Sequence, residues 1–445
     1  MTERSTWGSR LGFILASAGS AVGLGAIWKF PYMAGTNGGS IFMLPYIFFT
    51  VTLGLALLIG EMCMGRAVRA GAAGAFRKLG GRPVAWMGQL SVATGFLVLA
   101  FYSVVGGWCV YYMIEAFLGN GIISDPAQMR EAFGSFAVSG TAPVHSHLAF
   151  LASTAFVVHF GVEKGIERVA KILMPLLFVM MLILIVRGLS LPGAFAGVEF
   201  LFKPDWSAFT GESLLNAMGF AFFSLSVGSG SQMNYGSYLS RDVHLPTSVS
   251  WIVFLAIMSA ILGGLMIMPA VFAFGLSPDA GPGLTFATMP AVFAQLPFGH
   301  FFAVTFYVCL FVAALTSSIS ILEMSVQYLS DEWQLSRPAA VCATGSVLAV
   351  LGTLCALSFG PLSHVTIFGK TFFDFLDYLT SNIGMPVSVI GIGLVTAWLA
   401  WPTTRGELST VKPVSPLFLK GFRILVGVFA PILILVVMMK GLGLF

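Results

Sequence analysis

The sequence predicts an all-α membrane protein of about eleven transmembrane helices forming one transporter domain over residues 1–445. Three observations predict it. Only 9% of the 445 residues are charged and 57% are hydrophobic, whereas soluble domains carry about 25% charge. Apolar stretches recur from residue 11 to residue 444, and about 20 apolar residues suffice for a helix to cross the hydrocarbon core. Finally, lysine and arginine are distributed unequally between alternate connections.

Stretches of that length place spans near 11–35, 41–65, 86–118, 148–161, 166–186, 213–239, 245–274, 298–329, 338–358, 366–401 and 416–440. With the N-terminus in the cytoplasm, sixteen of the 22 basic residues fall inside, among them Arg4, Arg10, Arg66, Arg69, Arg77, Lys78 and Arg82. Six (Lys29, Arg130, Arg187, Lys203, Lys370 and Lys440) fall on the other side. Cationic loops are retained in the cytoplasm, so the orientation predicted is N-terminus inside and, after an odd number of spans, C-terminus outside. The polar start MTERSTWGSR has no small-residue cleavage site behind its apolar run, so a removed signal peptide is not expected.

The same inventory excludes other classes. Cys63, Cys109, Cys309, Cys342 and Cys355 lie in or beside apolar stretches without a CxxC pair and read as packing residues. The six histidines are scattered, and no nucleophile–base pair, phosphate loop or metal-spaced His/Cys cluster is present. An enzyme is not expected, nor a nucleic-acid partner. The partners expected are a small-molecule substrate and the lipid bilayer, with the chain a monomer or homodimer.

Two spans carry interruptions. The first reads Ala18-Gly19-Ser20-Ala21-Val22-Gly23-Leu24-Gly25, with three glycines in seven residues, and the sixth reads Ser224-Leu225-Ser226-Val227-Gly228-Ser229-Gly230. Gly19-x-x-x-Gly23 fits a close helix–helix contact. The other reading is an unwound stretch whose bare carbonyls and amides line a site, which is tolerated at membrane depth only beside protein or a cavity. Interruptions in the first helix of each of two five-span groups mark an inverted-repeat transporter. The repeats would cover about 8–190 and 205–402, followed by an extra span at 416–440. The eighth span adds Thr316, Ser317, Ser318 and Ser320 within five residues. Such hydroxyls commonly bond their own backbone one turn back. Together with carbonyls at a helix break they also make a hard, neutral cage suited to an alkali cation.

In this order the segments resemble the neurotransmitter:sodium symporter family, whose structural model is the bacterial leucine transporter. The motifs are Trp7-Gly8-Ser9-Arg10-Leu11-Gly12, Ala21-Val22-Gly23-Leu24-Gly25, Lys29-Phe30-Pro31, Asn37-Gly38-Gly39 and Gly60-Glu61-Met62-Cys63-Met64-Gly65-Arg66. Phe222-Phe223-Ser224-Leu225-Ser226, Tyr235-Gly236-Ser237-Tyr238, Leu315-Thr316-Ser317-Ser318 and Ser330-Asp331-Glu332 continue it. The resemblance implies a five-plus-five inverted-repeat fold and sodium-driven symport of an amino acid or related amine in a bacterial plasma membrane. One sodium site would use the carbonyls of Gly19, Val22 and Ala313 and the hydroxyls of Thr316 and Ser317. The substrate amine would meet Ala21, Phe223 and Ser226; its carboxylate would meet Leu24, Gly25 and Tyr102. An anion is favoured at such a half-helix N-terminus. Val98, Ser229, Ser318 and Ile321 would form the pocket walls, which read as roomier and more polar than a leucine site, with Ser320 adding a further hydroxyl. Lys29 with Asp377 resembles the outer gate, where the family usually has arginine, and Arg4 with Asp331 beside Tyr238 the inner gate.

The pattern breaks at the family's other sodium site, where Ala26 and Leu255 replace two asparagines and only Ser224 and the Ala21 carbonyl remain. It also breaks at the chloride site: Tyr46, Ser224 and Ser259 fit, but Phe220 replaces a glutamine and Leu255 the asparagine. One sodium ion and no chloride are therefore expected, with Lys29 a candidate for the missing positive charge. Glu61 and Glu323 are expected to bond amides freed by the broken helices, or to serve in proton coupling instead. Carriers of a non-α-amino-acid osmolyte or amine, and a transport-dead sensor or channel, are the alternatives.

Overall fold

A computed structural model describes residues 5–120, 122–279 and 284–444. Among these, nine helices are long and apolar enough to cross a membrane: Ser40–Val68, Arg82–Phe117, Thr141–His159, Val162–Leu189, Leu245–Ala273, Gly299–Trp333, Arg337–Leu357, Phe372–Leu399 and Pro416–Gly441. A tenth is the first span, which is bent by 46° between Arg10–Ala21 and Gly25–Thr36. The eleventh expected span, 213–239, is two short helices, Gly211–Ser224 and Ser231–Ser237. Residues 225–230 between them are non-helical, so neither half alone is long enough to cross.

The breaks occur where the sequence cannot continue a helix without steric conflict or a left-handed residue. Gly23 faces the eighth span so closely that a Cβ there would overlap the Ser317 hydroxyl and lie 3.0 Å from the Tyr102 hydroxyl. In the sixth span, Ser226 (φ 54°), Gly228 (φ 85°) and Gly230 (φ 80°) all take positive φ. Glycine accepts this conformation freely; serine does so at a cost. The eighth and third spans are the most enclosed, with 78% and 72% of their most apolar window buried, against 22% for the last span. The first, third, sixth and eighth spans therefore meet at the centre, and the last lies against lipid.

Sequence-derived limits fail where polar residues open a helix. The fourth span begins at Thr141 rather than 148, because its early turn includes His147. That ring is buried but bonded, with Nδ1 2.9 Å from the Ser103 hydroxyl and Nε2 3.3 Å from the Ala349 carbonyl. The tenth begins at Phe372 rather than 366, after the short bridge between Ile367 and Lys370. Cys63, Cys109, Cys309 and Cys355 are buried free thiols, as packing residues should be; Cys342 is exposed.

The inner half of the sixth span is held against the second by near backbone contact. A Cβ on Gly65 would overlap the Met233 carbonyl, and one on Gly236 would lie 2.6 Å from the Met62 carbonyl. Gly65→Val and Gly236→Val should each destabilise the fold by about 1–3 kcal/mol, the usual cost of overpacking a filled contact. Gly345→Ala, in open space, should not. Thermal melts of the detergent-solubilised variants, followed by size-exclusion, measure the difference.

Candidate functional site

The carbonyl of Ser20 is the junction of the site. It accepts from the Ser317 hydroxyl of the eighth span at 3.0 Å and from the Ser226 hydroxyl of the sixth at 3.1 Å. Ser317 lies equally near the Gly19 carbonyl, at 3.0 Å. One turn back, Thr316 donates to the Ala313 carbonyl at 3.0 Å, and a Cβ on Gly19 would lie 3.1 Å from that of Thr316. Val22 caps the end of the inner half-helix, its amide bonded to Ala18, where carbonyls lose their helical partners. Gly19, Ala313, Thr316 and Ser317 thus come together as buried neutral oxygens on facing helices. Uncharged carbonyl and hydroxyl oxygens of this kind are ligands that a hard cation of low charge accepts.

Beside this cluster the outer half of the first span begins. The Tyr102 hydroxyl accepts from the Leu24 amide at 3.3 Å. Phe223 lies over Gly25, where a Cβ would be 3.4 Å from its ring. Val98 and Ile321 are buried apolar wall residues. Ser229 bonds the Ser226 carbonyl (2.7 Å) and Ser231 (2.8 Å), so its hydroxyl stabilises the break itself. Ser318 points elsewhere: it bonds Thr154 of the fourth span at 2.8 Å and the Leu315 carbonyl at 2.9 Å. The hydroxyl facing the first span is instead that of Ser320, 2.7 Å from the Ser20 hydroxyl. Ser20 was missed as a site residue, although its place directly after Gly19 in the interrupted stretch was a usable signal.

Amides freed by the sixth break are bonded by Glu61, which is fully buried and accepts from Gly228 (3.0 Å) and Met233 (3.4 Å). Glu323 does something different from what the sequence suggested. It pairs with Arg337 and accepts from Tyr238 at 2.8 Å, while Arg337 also bonds the Val158 carbonyl at 2.6 Å. It therefore ties the eighth and ninth spans to the fourth and sixth, and among the described residues it bonds no amide of a broken helix.

Two of the three positions where ion ligands are replaced, Ala26 and Phe220, are closed by packing, whereas Leu255 is only partly buried. Ala26 is 1% exposed, and a Cβ on Gly263 of the seventh span would overlap its carbonyl. Phe220 packs on Tyr46, Phe42 and Phe30 at ring distances of 5.2, 5.7 and 6.0 Å. Ser224 and Ser259 bond carbonyls of their own helices, Ala221 and Ala256. The Tyr46 hydroxyl has no hydrogen-bond partner among the described residues.

The Lys29 ammonium, in the second half of the first span, sits 4.0 Å from the centre of the Phe223 ring. Asp377 accepts from Ser381 at 2.9 Å and forms no ion pair with Lys29 within 4.0 Å. Both Lys29 and Phe223 line a cavity of about 300 Å3 that also touches Asn216, Asn382 and Lys440. At the opposite end of the first span, Trp7 bonds the Tyr235 carbonyl through its indole N–H at 3.0 Å and stacks edge-on against Tyr235. Glu167 holds Gly8 and Ser9. Tyr238 lies 2.9 Å from Gln327, which donates to Asp331 at 2.7 Å. Arg4, the expected partner of Asp331, lies outside the described residues.

The model of the sodium:neurotransmitter symporter family matches residues 4–121 and 134–444. The chain belongs to this family. It is 43% identical over 404 residues to the sodium-dependent transporter YhdH of Bacillus subtilis, covering 90% of this chain and 89% of that one. It is 34% identical over 452 residues to a sodium-dependent transporter of Haemophilus influenzae, covering 99% and 98%. The crystal structure of MhsT in complex with L-phenylalanine superimposes with a TM-score of 0.91 at 39% identity, covering 99% of this chain and 100% of that one. The family member therefore has the leucine-transporter-like inverted-repeat fold with broken first and sixth helices. It is a sodium-dependent membrane transporter of small molecules and not an enzyme.

Glu61→Ala would leave two buried amides unbonded, at a cost of about 1–3 kcal/mol for each unsatisfied group, and its melting temperature should fall well below that of Glu61→Gln, which keeps an acceptor. Ser320→Ala should weaken substrate binding by a few-fold, the size of one neutral hydrogen bond at about 0.5–1.5 kcal/mol. Ser318→Ala should leave binding unchanged. Equilibrium binding of the transported substrate to both purified variants separates the two faces of the eighth span.

Proposed function

We propose that this family member is a secondary active symporter coupling inward movement of a single sodium ion to uptake of an amino acid or related small amine by alternating access. The observation that carries the reading is the contrast between two oxygen sets. Carbonyls of Gly19 and Ala313 and hydroxyls of Thr316 and Ser317 converge between the first and eighth spans, with Val22 completing the set. Ala26 and Phe220 are buried in apolar packing, and Leu255 brings no side-chain oxygen. The first set offers a desolvated cation five oxygens, whereas the two left at the second, from Ser224 and the Ala21 carbonyl, are too few to offset the loss of its hydration. One sodium ion and no chloride follow.

The substrate would lie between the two breaks. Its amine would meet the carbonyls of Ala21 and Phe223 and the Ser226 hydroxyl. Its carboxylate would meet Tyr102 and the amides of Leu24 and Gly25, at the positive end of the outer half-helix. The phenylalanine bound by MhsT supports an amino acid, and Val98, Ile321 and Ser229 leave the wall partly polar. Without a second sodium ion, either another positive charge meets the carboxylate or the substrate has no carboxylate in this position. Lys29, one turn above Gly25 and resting on Phe223, is the candidate for that charge, while Asp377 and Ser381 complete the outer closure. Asp331 with Tyr238, Gln327 and Trp7 closes the inner side. The basic asymmetry supports a cytoplasmic N-terminus and an outer C-terminus in a bacterial plasma membrane.

Uptake of an amino-acid and amine pool into proteoliposomes, with and without an inward sodium gradient, tests the reading. Uptake should require sodium and be abolished by Thr316→Val with Ser317→Ala. Replacing chloride by gluconate should leave it unchanged. Uptake driven by a proton gradient and indifferent to sodium would instead favour a proton-coupled carrier. Lys29→Gln should weaken substrate affinity roughly tenfold, the size of one charge-assisted hydrogen bond at about 1.5–3 kcal/mol. Unchanged affinity would remove Lys29 from the site.

A further inference from the structure

We propose that the connection between the tenth and eleventh spans forms a binding site for the headgroup of an anionic phospholipid. The peptide there folds around a concave surface that carries Arg405, Lys420 and Arg423 and no acidic residue. Arg423 is held in place: its guanidinium stacks on Trp398 and Trp401, 5.1 Å from each ring, and its Nε donates to the Ala397 carbonyl at 2.9 Å. Its two terminal nitrogens have no acceptor among the described residues, and Arg405 and Lys420 are exposed without an ion pair there. The neighbouring carboxylate, Glu407, is turned inward and engaged by Arg66 at 2.7 Å and Arg241 at 3.4 Å. A fixed guanidinium with free donors, flanked by two exposed cations, matches a phosphodiester.

The surroundings select a lipid over a free anion. Trp398 is 52% exposed, as indoles at a membrane–water boundary are. From the basic surface an apolar track of exposed Leu417, Ile424, Val428 and Phe429 climbs the last span, which is the least enclosed of the spans. Acyl chains can lie along that track while the phosphate stays with the three cations. In the orientation proposed above this is the cytoplasmic leaflet, where juxtamembrane basic clusters attract anionic lipid.

Native mass spectrometry of the full chain, released from micelles containing equal phosphatidylglycerol and phosphatidylcholine, is the test. The wild type should retain phosphatidylglycerol preferentially. Arg405→Gln with Lys420→Gln, both surface changes, should reduce that retained lipid by about tenfold or more, since each basic group near an anionic headgroup contributes roughly a fivefold factor. Arg405→Lys with Lys420→Arg should restore it. Inorganic phosphate alone should neither displace the lipid nor raise the melting temperature. Equal retention of the two lipids, or undiminished retention by the Gln variant, would overturn the proposal. Stabilisation by phosphate matching that by the lipid would assign the surface to a free anion instead.

Discussion

Everything at the centre of this protein depends on satisfying backbone polar groups where no water from the bilayer can reach them. A continuous helix bonds its own amides and carbonyls; an interrupted one at membrane depth cannot. This chain interrupts two. The amides released at Gly228 and Met233 are taken up by the buried carboxylate of Glu61. The carbonyls released at Gly19 and Ser20 are taken up by the hydroxyls of Ser226 and Ser317. Close approach is possible because Gly23, Gly65 and Gly236 present no Cβ where backbone or hydroxyl of another span must pass.

The same economy links binding to movement. Ser317 donates to carbonyls of the first span. On the proposed sodium assignment, an ion at that place turns all these oxygens toward itself. The first and eighth spans are then held by a common charge in addition to the hydroxyl contact between Ser20 and Ser320. An ion that fits one relative position of the two helices better than another shifts the balance between them by that difference in affinity. The Glu323–Arg337 pair works the other way. It braces the eighth and ninth spans to the fourth and the inner sixth, and a buried pair broken on one side leaves an uncompensated charge.

Replacing Ala26 and Leu255 changes the charge balance of the site as well as its ligand count. With the seventh span packed on the Ala26 carbonyl and aromatic rings around Phe220, the low dielectric there would raise the cost of any unpaired charge. A lysine at position 29 in the outer cavity is the cation closest in sequence to the carboxylate end proposed for the substrate.

The sequence by itself determined the class of the molecule. Low charge and repeated apolar stretches of spanning length, with asymmetric lysine and arginine, can be arranged stably in only one kind of solvent. It also exposed both breaks, because glycine and serine runs at mid-span have a local backbone cause, and the hydroxyl cluster opposite them. Tertiary structure decided which way each residue faces. Ser317, Ser318 and Ser320 look equivalent in a string, yet successive helical residues are about 100° apart around the axis. Only the packing of the eighth span against the first and fourth sends Ser317 and Ser320 to the break and Ser318 to Thr154. These spans are apolar all round, so no polar stripe in the sequence records their rotation. Long-range partners are hidden for a related reason: Glu61 and Glu323 are both buried acids, and their different roles depend on which distant backbone or side chain the fold brings alongside.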